Sequence, residues 1–543
     1  MENKSPDTVE QVKTVPTAKP LSRFDKFFGI TARGSSIKAE IIAGIVTFLA
    51  MCYILTVNPT QFFWGGKFVP NPEFVAGGDL PELIPTYTAT DNPYWTSVFI
   101  ATAFGAIVGT LLMAFLAKLP LAQAPGMGLN SLVGSIIGGG VGFGSYYFSF
   151  SLANAMFMVL ISGILFLLLS LITIKGVSLR QKIFEGIPAA IRTAIPVGIG
   201  LFIAYIGFQN AGFIITNQYT QVGVLDFSNW ETQVVNWGSS LAVTPANGLV
   251  LLSGLFVIAI LDHLKVKGAV IIGILAATIV GIPLNVTNVA VILGNEPGIT
   301  WKFWENFANY FSGENGVFGI AVTEGWNLPA GSIMTVVMLI ITMCMIDMFD
   351  TMGTCVGCCS AAGLLDEKGV PLNYDKIMYS DSIATCAGSL FGTSTVTTFV
   401  ESGAGIATGG RTGLTALTTA VMFFLAIFAL PLFAMIPSAA AASALVYVGV
   451  LMMKNIKNVD FSDIRTAVPA FLAIAIMPLG YSITKGIGWA ILSFVVISIF
   501  CYIVDAIKYA INKKDKPVWN VSIVTIIVAV LFIIYFFVPT IIK

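Results

Sequence analysis

Long apolar segments alternate with shorter polar ones along almost the whole chain. A helix needs about 20 apolar residues to cross a bilayer. Segments of roughly that kind lie at 41–57, 96–117, 151–174, 193–208, 248–261, 268–283, 333–354, 377–391, 414–436, 441–453, 467–483, 486–504 and 518–538. Two shorter stretches, 121–137 and 395–409, are interrupted by glycine or proline. The pattern predicts an all-α polytopic membrane protein with about 14 transmembrane segments and a possible extra C-terminal helix.

Composition supports this prediction. Hydrophobic residues make up 56% of the 543 positions and charged residues only 10%, whereas soluble domains have about 25% charged residues. The formal net charge is zero, which argues against a nucleic-acid partner. The first 40 residues contain no apolar core of the signal-peptide kind, so we expect no cleaved leader.

The seven cysteines lie in or beside apolar segments, so a disulfide framework is not expected. Cys355, Cys358 and Cys359 form a cluster that allows two interpretations, a metal or redox site and simple packing of small side chains between helices. The only histidine, His263, lies in another segment, and we favour packing.

Lysine and arginine are concentrated in the N-terminal tail and in alternate loops, including Arg180 in the loop 175–192. The opposite loops are long and rich in aromatic residues; they are 61–94, 211–247 and 285–331. Because positive charge marks the cytoplasmic side, we predict a cytoplasmic N-terminus in the cell membrane. Arg411, in a glycine-rich turn, is expected to be a membrane anchor or a salt-bridge partner. Phe24, Phe27 and Phe28 predict a short interfacial helix before the first span.

The two interrupted stretches occupy the third place in each half of a seven-plus-seven arrangement. Broken helices at matching places are typical of inverted repeats, in which they build the substrate site. A short likeness between residues 50–54 and 342–346 agrees with this and places Asn58 opposite Asp350.

Acidic residues inside apolar segments are the strongest functional signal. Asp347 and Asp350 lie in one apolar helix, where each carboxylate costs at least ~2.5–3.5 kcal/mol. Their spacing places both on one helical face, toward either a cavity or a structural partner. Glu401 follows a β-branched run, 393–400, and precedes a glycine-rich turn. We predict a short strand leading into a half-helix, with Glu401 as a ligand or proton site, or alternatively as a plain helix cap.

The first interrupted stretch has different chemistry. Pro125 removes a backbone donor and Gly128 permits close approach of a ligand or backbone. Asn130 offers both donors and acceptors, which suits the edge of a heterocycle. Asn58 precedes Pro59, and is either a similar binding amide or the end of the first span.

The acids also suggest the coupling ion. A desolvated carboxylate tends to take up a proton, so acids in a cavity with alternating access predict proton symport. No GxxxxGK[ST] loop is present, and ATP-driven transport is therefore not expected. The proton is the expected coupling ion, without another cofactor.

Five segments together resemble the AzgA-like adenine/guanine/hypoxanthine permeases of the nucleobase–ascorbate transporter superfamily. They are 41–59, Ala-Pro-Gly-Met-Gly-Leu-Asn at 124–130, 347–354, Gly-Thr-Ser-Thr-Val-Thr-Thr-Phe-Val-Glu-Ser at 392–402, and 409–416. The likeness extends over residues 38–510.

The resemblance implies a core domain of spans 1–4 and 8–11 and a gate domain of spans 5–7 and 12–14. The corresponding boundaries are a cytoplasmic tail 1–37, core 38–174, gate 175–330, core 331–437, gate 438–510 and a C-terminal helix 511–543. The resemblance also implies that the protein takes up purines with protons and binds the substrate between short strands of the third and tenth spans. It further implies a possible homodimer.

The resemblance carries site roles to particular positions. Asn130, Asp347 and Glu401 match substrate-binding positions, and Asp350 matches an acid associated with turnover or internal bonding. Neighbouring positions expected at the substrate are Gly128, Phe399 and Ser402. The candidates for proton coupling or internal bonding are Asn58, Asp347, Asp350 and Glu401. Ser131 and Leu132 stand where relatives tend to have alanine and an aromatic residue, so Phe399 or Phe349 is expected to supply a stacking ring.

Two alternatives remain beside purine transport. An anion or other small-solute transporter on the same fold is disfavoured because the expected site contains acids and no basic residue. A membrane-embedded enzyme could chelate a metal with Asp347 and Asp350, but such enzymes need more carboxylates and a basic clamp. We therefore expect a transporter and not an enzyme.

Overall fold

The computed structural model is largely helical, and its strands are short. It describes residues 23–62, 68–70, 83–85, 94–137, 150–174, 177–180, 182, 188–215, 222–230, 233–234, 242–266, 268–292, 299–312, 315–365, 370–480, 483–513 and 516–537. Residues 1–22 of the expected tail 1–37 and most of the long outer loop 61–94 lie outside these residues.

The helices of the first half come in the same order as the apolar segments. They are α1 Arg23–Phe28, α2 Ile37–Met51, α3 Ile54–Phe62, α4 Trp95–Leu112, α5 Met127–Ile137, α6 Leu152–Leu171, α7 Ala189–Asn210, α8 Pro245–His263, α9 Ala269–Gly281, α10 Phe303–Ser312 and α11 Ile320–Thr323. The helix α4 ends in a π-turn, Met113–Ala117. The predicted helix at Phe27 and Phe28 is present as α1.

The helices of the second half repeat this order. They are α12 Ile333–Ala362, α13 Tyr374–Phe391, α14 Ser402–Ala407, α15 Gly413–Ile427, α16 Leu430–Ala434, α17 Ser438–Met453, α18 Ile464–Leu479, α19 Ile483–Asn512 and α20 Ile523–Phe537. Short 3₁₀ turns are Thr31–Arg33, Val289–Val291 and Lys454–Asn458.

Ten short strands form five antiparallel pairs in the described residues. They are β1 Phe68–Pro70, β2 Leu83–Pro85, β3 Gln123–Pro125, β4 Thr173–Ile174, β5 Val177–Ser178, β6 Ile214–Ile215, β7 Gly223–Val224, β8 Gln233–Val234, β9 Ala242–Val243 and β10 Val396–Thr398. Four pairs join strands that follow each other in the chain. The pair β3–β10 instead joins the two halves of the protein.

Eight helical stretches in the described part are long and apolar enough to cross a membrane, and α9, α15, α18 and α20 are shorter apolar helices. The polytopic all-α fold is confirmed, and the order of elements fits the predicted seven-plus-seven arrangement. The short strands predicted in the third and tenth places are also present, as β3 and β10. The C-terminal helix α20 packs on α19, where Trp489 stacks on Phe536 at 5.2 Å between ring centres.

Packing sorts the helices into two groups. In one group α7 packs on α17 and α18, while α8 packs on α9 and α17. In the other, α2 and α4 pack on α15, and α13 packs on α4 and α6. Small residues allow these close approaches: a Cβ on Gly449 of α17 would lie 2.6 Å from the carbonyl oxygen of Gly200 in α7. The division of the chain into core and gate domains, with its boundaries, stays a prediction.

The first span differs from its prediction. It is broken at Cys52 and Tyr53, between α2 and α3. Asn58 and Pro59 do not end the span, because α3 continues through them to Phe62. The prediction that Asn58 terminates a helix was therefore wrong.

One arginine differs from its expected role, and a second lacks one of the two partners that were expected for it. Arg180 was counted as a charge of a cytoplasmic loop, but its side chain is fully buried in the protein. For Arg411, no salt bridge is present among the described residues. Its guanidinium donates instead to the carbonyl oxygens of Ile406 and Gly410, at 2.6 and 2.7 Å, and so closes its own turn.

Glu40 joins α2 to the beginning of α15. Its buried carboxylate accepts the backbone N–H groups of Arg411 at 2.9 Å, Thr412 at 3.2 Å and Thr415 at 3.3 Å. It also accepts the hydroxyl of Thr415 at 2.5 Å. The first N–H groups of a helix have no partner within the helix, and here one carboxylate satisfies several of them. Sequence analysis had placed Glu40 at the end of a polar tail and missed this contact.

We expect Glu40→Ala to destabilise the protein, because each buried N–H group left unpaired costs about 1–3 kcal/mol. The thermal midpoint in detergent, followed by size-exclusion chromatography, measures the effect. Glu305→Ala is the matched control, since Glu305 is exposed and its ion pair with Lys302 lies in solvent. Equal midpoints for the two variants would contradict the assigned role of Glu40.

Candidate functional site

The pair β3–β10 lies at the centre of the site. Ala124 is opposite Thr397 in the antiparallel register, and every residue of both strands is buried. The pairing extends beyond the strands, because the N–H of Gly126 donates to Thr395 at 2.9 Å and that of Phe399 donates to Ala122 at 3.0 Å. Extended backbone inside a membrane domain needs such internal partners. We call 123–137 the first broken segment and 396–407 the second broken segment.

Glycines in the neighbouring helices make room for the strands. A Cβ on Gly109 of α4 would lie 2.8 Å from Val396 and 2.9 Å from the side-chain oxygen of Gln123. A Cβ on Gly388 of α13 would lie 2.7 Å from Val396. The strands therefore lie in a slot between α4 and α13 that larger residues would close.

Glu401 follows β10 and immediately precedes α14. It makes no side-chain cap bond to that helix, so the plain-cap alternative is wrong. Its carboxylate instead accepts the hydroxyl of Tyr53 at 2.6 Å. Tyr53 is fully buried at the break between α2 and α3. Sequence analysis missed Tyr53 as a site residue; the only available signal was its position in the repeated segment 50–54.

The two aspartates of α12 point to different neighbours. Asp350 is half-buried, and one of its carboxylate oxygens lies 3.7 Å from the position that a Cβ on Gly126 would take. Asp347 is only 2% exposed; its Oδ2 accepts the hydroxyl of Thr385 at 3.4 Å, and its Oδ1 has no partner among the described residues. The structure thus places Asp350 beside Gly126 of the first broken segment, and Asp347 toward α13.

Asp381 of α13 is a further buried acid, which sequence analysis missed. It accepts hydrogen bonds from the hydroxyl of Thr351 at 2.7 Å and from Nε2 of Gln123 at 3.2 Å. It also forms an ion pair with Nη2 of Arg180 at 3.1 Å, in which both side chains are fully buried. Thr351 is in turn 2.7 Å from the hydroxyl of Thr397 in β10. Asp381 therefore joins Asp347, Asp350 and Glu401 among the acids of the apolar segments.

Arg180 enters the interior directly after β5. Its guanidinium carbon lies 3.4 Å from the ring centre of Phe166, a favourable cation–π distance. Its Nε and Nη1 have no hydrogen-bond partner among the described residues. The expectation that the site region contains no basic residue was therefore wrong.

The two predicted amide side chains form hydrogen bonds with residues that precede β10. Asn130 donates to the carbonyl oxygen of Pro125 at 3.3 Å and accepts the hydroxyl of Ser394. Asn58 donates to the hydroxyl of Thr393 at 2.8 Å, and its Oδ1 has no partner in the described part of the chain. Both side chains are fully buried. Substrate contacts by Asn130 and proton coupling through Asn58 stay predictions.

The remaining predicted residues have distinct positions. A Cβ on Gly128 would lie 3.1 Å from Ile199 of α7 and 3.8 Å from Ile483 of α19, so Gly128 faces the other helix group. Ser402 accepts the N–H of Ala122 at 3.0 Å and so links the two broken segments. Phe399 is 5% exposed. The side chain of Phe349 lies outside the described residues.

The cysteine cluster packs against the second broken segment. The thiol of Cys355 is 3.7 Å from the hydroxyl of Thr398, and that of Cys358 is 3.8 Å from the carbonyl oxygen of Val400. These contacts are the ones that the packing interpretation predicts.

A separate groove of about 770 Å³ lies at the beginning of α6. It includes none of the predicted site residues. Its lining residues are Phe150, Ser151, Asn154, Thr323, Glu324, Trp326, Asn327, Leu328 and Pro329.

Comparison with known proteins shows the family. Residues 83–488 match the model of the Permease family, Xan_ur_permease. The guanine/hypoxanthine permease PbuO of Bacillus subtilis (strain 168) is 33% identical over 515 residues, which cover 94% of this chain and 100% of that protein. This chain belongs to the nucleobase–ascorbate transporter family. The adenine permease AdeP of Escherichia coli (strain K12), another similar protein, is 31% identical over 478 residues, covering 88% and 90%.

The fold of this nucleobase–ascorbate transporter family member is shared more widely. The structure of the murine Slc26a9 anion transporter in the inward-facing state superimposes with a TM-score of 0.55 at 10% sequence identity. The match covers 92% of this chain and 77% of that one. Such low identity supports the fold alone. The family and the apolar helices together establish a multi-pass membrane transporter and not an enzyme.

Two glycines on the short helix α14 should respond differently to alanine. A Cβ on Gly405 would lie 2.0 Å from the hydroxyl oxygen of Thr47 and 2.6 Å from the carbonyl oxygen of Ala43, whereas Gly403 has open space. We expect Gly405→Ala to displace α14 from α2, at a cost of roughly 1–3 kcal/mol, and to lower both thermal stability and transport.

Gly403→Ala is the matched control and should leave the thermal midpoint unchanged. If the two alanine variants had the same stability and the same amount of protein in the membrane, the assigned packing of α14 on α2 would be incorrect.

Proposed function

We propose that this protein imports purine nucleobases (adenine, guanine and/or hypoxanthine) by proton symport across the cell membrane, with its N-terminus in the cytoplasm. The proposal rests chiefly on one arrangement, in which Glu401 accepts a 2.6 Å hydrogen bond from Tyr53 and Asp350 lies beside Gly126 of the first broken segment. The names of similar proteins, an adenine permease and a guanine/hypoxanthine permease, support the purine class.

A purine suits this arrangement chemically. It is flat and neutral and carries N–H groups on its edges, and carboxylates are strong acceptors for such donors. Gly126 lies beside Asp350 and against Thr397, since a Cβ there would be 2.5 Å from the methyl carbon of Thr397, and the absence of a side chain lets the two strands pack closely next to Asp350. We therefore propose that Glu401 and Asp350 accept hydrogen bonds from the base, and that Asn130 orients the strands and the base edge.

This proposal exchanges the roles that the family resemblance implied for the two aspartates. Asp350 is half-buried beside Gly126, whereas Asp347 is buried toward α13. Asp347 has one long hydrogen bond and one unpaired oxygen in the described part. An acid with so few donors is stabilised by taking up a proton, so we assign Asp347 as the proton carrier.

Transport of an anion is the second candidate, because Arg180 provides a buried positive charge. Arg180 is paired with Asp381, however, and Asp347, Asp350 and Glu401 lie in the same region. An anion would meet net negative charge in this part of the protein. A neutral base that donates hydrogen bonds fits better.

Uptake of radiolabelled adenine, guanine and hypoxanthine into cells lacking their own purine transporters tests the proposal. We expect uptake that rises on external acidification and is lost with a protonophore. Glu401→Gln should raise the KM about tenfold or more, because a hydrogen bond to a charged group contributes ~1.5–3 kcal/mol. Tyr53→Phe should have a smaller effect in the same direction.

Glu305→Gln is the control, since Glu305 is exposed on α10. Unchanged purine uptake by Glu401→Gln would contradict the site assignment. Uptake insensitive to both pH and protonophore would contradict proton symport, and competition by inorganic anions instead of purines would favour the second candidate.

A further inference from the structure

Arg180, Asp347 and Asp381 form a charged group in the interior that the proposed substrate contacts do not use. Arg180 and Asp381 are fully buried and Asp347 is 2% exposed. The ion pair between Arg180 and Asp381 is 3.1 Å long. Asp347 adjoins this pair on both helices, because it lies one turn before Thr351, which donates to Asp381, and it accepts the hydroxyl of Thr385, one turn after Asp381. The group therefore contains two acids and one base, all out of water.

The two acids are held very differently. Asp381 accepts hydrogen bonds from Thr351, Gln123 and Arg180, which is a full set of donors for an anion. Asp347 accepts a single long bond, and its other oxygen is unpaired among the described residues. Arg180 in turn retains Nε and Nη1 without partners there. Buried unpaired donors and acceptors are costly, so the unused groups of Arg180 and Asp347 are suited to pair with each other.

The other titratable side chains near this charged group lie on α12 and α13, the helices that carry Asp347 and Asp381. Those on α12 are Cys344, Asp350 and Cys355, and Cys386 is on α13. The strands contribute Gln123, Thr397 and Thr398, and α6 contributes Phe166, which carry no charge. Arg180 is the one cation that acts on Asp347 and Asp381 among the described residues.

We propose that Arg180 is a positioning residue for coupling, which sets the number of protons that the Asp347–Asp381 pair binds to one. Buried charge is strongly disfavoured unless it is compensated. Arg180 compensates one carboxylate, and a single proton on the other makes the whole group neutral. This inference rests on the proposed proton symport and adds a residue from outside the two broken segments.

Because of this charge balance, Arg180→Gln and Asp381→Asn should shift the pH dependence of uptake in opposite directions. In Arg180→Gln neither carboxylate has a counter-charge, so the group retains its protons into more alkaline solution. The pH dependence of uptake should then shift upward by about one unit or more, a tenfold change in proton concentration. In Asp381→Asn the guanidinium is free to pair with Asp347 and keeps it ionised, so uptake should shift to more acidic pH by a similar amount.

The experiment measures purine uptake against external pH for the wild type, the two single variants, Arg180→Gln/Asp381→Asn and Arg180→Lys. The double variant removes both charges and should return the profile toward that of the wild type. Arg180→Lys keeps the charge and should stay close to the wild type. A structural role without charge compensation would impair both single variants in the same direction and would not predict recovery in the double variant.

Shifts in the same direction, or no recovery in the double variant, would overturn the inference. If Arg180→Gln fails to reach the membrane, recovery of the membrane level in both the lysine and the double variants supports charge pairing, and failure in both opposes it. Wild-type uptake without pH dependence would refute the proposed symport itself, and is therefore distinguishable from failure of the role of Arg180.

Discussion

The pairing of two three-residue strands is the interaction on which the rest of the structure depends. β3 and β10 come from opposite halves of the chain, and each pairs with part of the extended backbone that the other leaves in the interior. The glycines of α4 and α13 permit this pairing, and Asn58, Asn130 and Ser402 reinforce it with side-chain bonds. Because both helices after the strands begin at this pair, its position determines where Gly128 and Glu401 lie.

Charge is distributed on two sides of the strand pair. Glu401 and Asp350 lie next to Tyr53 and Gly126, while Asp347 and Asp381 are grouped with Arg180. α12 takes part in both groups, since Asp347 and Asp350 are three residues apart, and Thr351 links Asp381 to Thr397. A movement of the strand pair relative to α12 would therefore change both environments together. In the proposed symport, this connection would link substrate binding to a change of proton affinity.

Sequence patterns predicted those features that are encoded locally. The length of the apolar segments predicted the spans, and glycine and proline predicted the broken segments. The β-branched residues before Glu401 predicted a strand. The missed features are contacts between distant residues: Tyr53 with Glu401 across 348 positions, Arg180 with Asp381 across 201 and Glu40 with Arg411 across 371. Glu40 and Arg180 follow polar stretches, and hydropathy assigns such residues to water. Only tertiary packing shows that they are buried.

The fold does not determine the charge of the substrate, since a protein described as an anion transporter has a similar architecture at 10% identity. The charge of the substrate must therefore be inferred from the side chains around the strand pair, and a single arginine there does not indicate it. Arg180 alone would attract an anion, but its ion pair with Asp381 cancels that attraction. What remains uncompensated in this region is acidic. A buried region with excess carboxylate is neutralised either by protons or by donors on a neutral ligand, and a proton-coupled carrier of a nucleobase uses both.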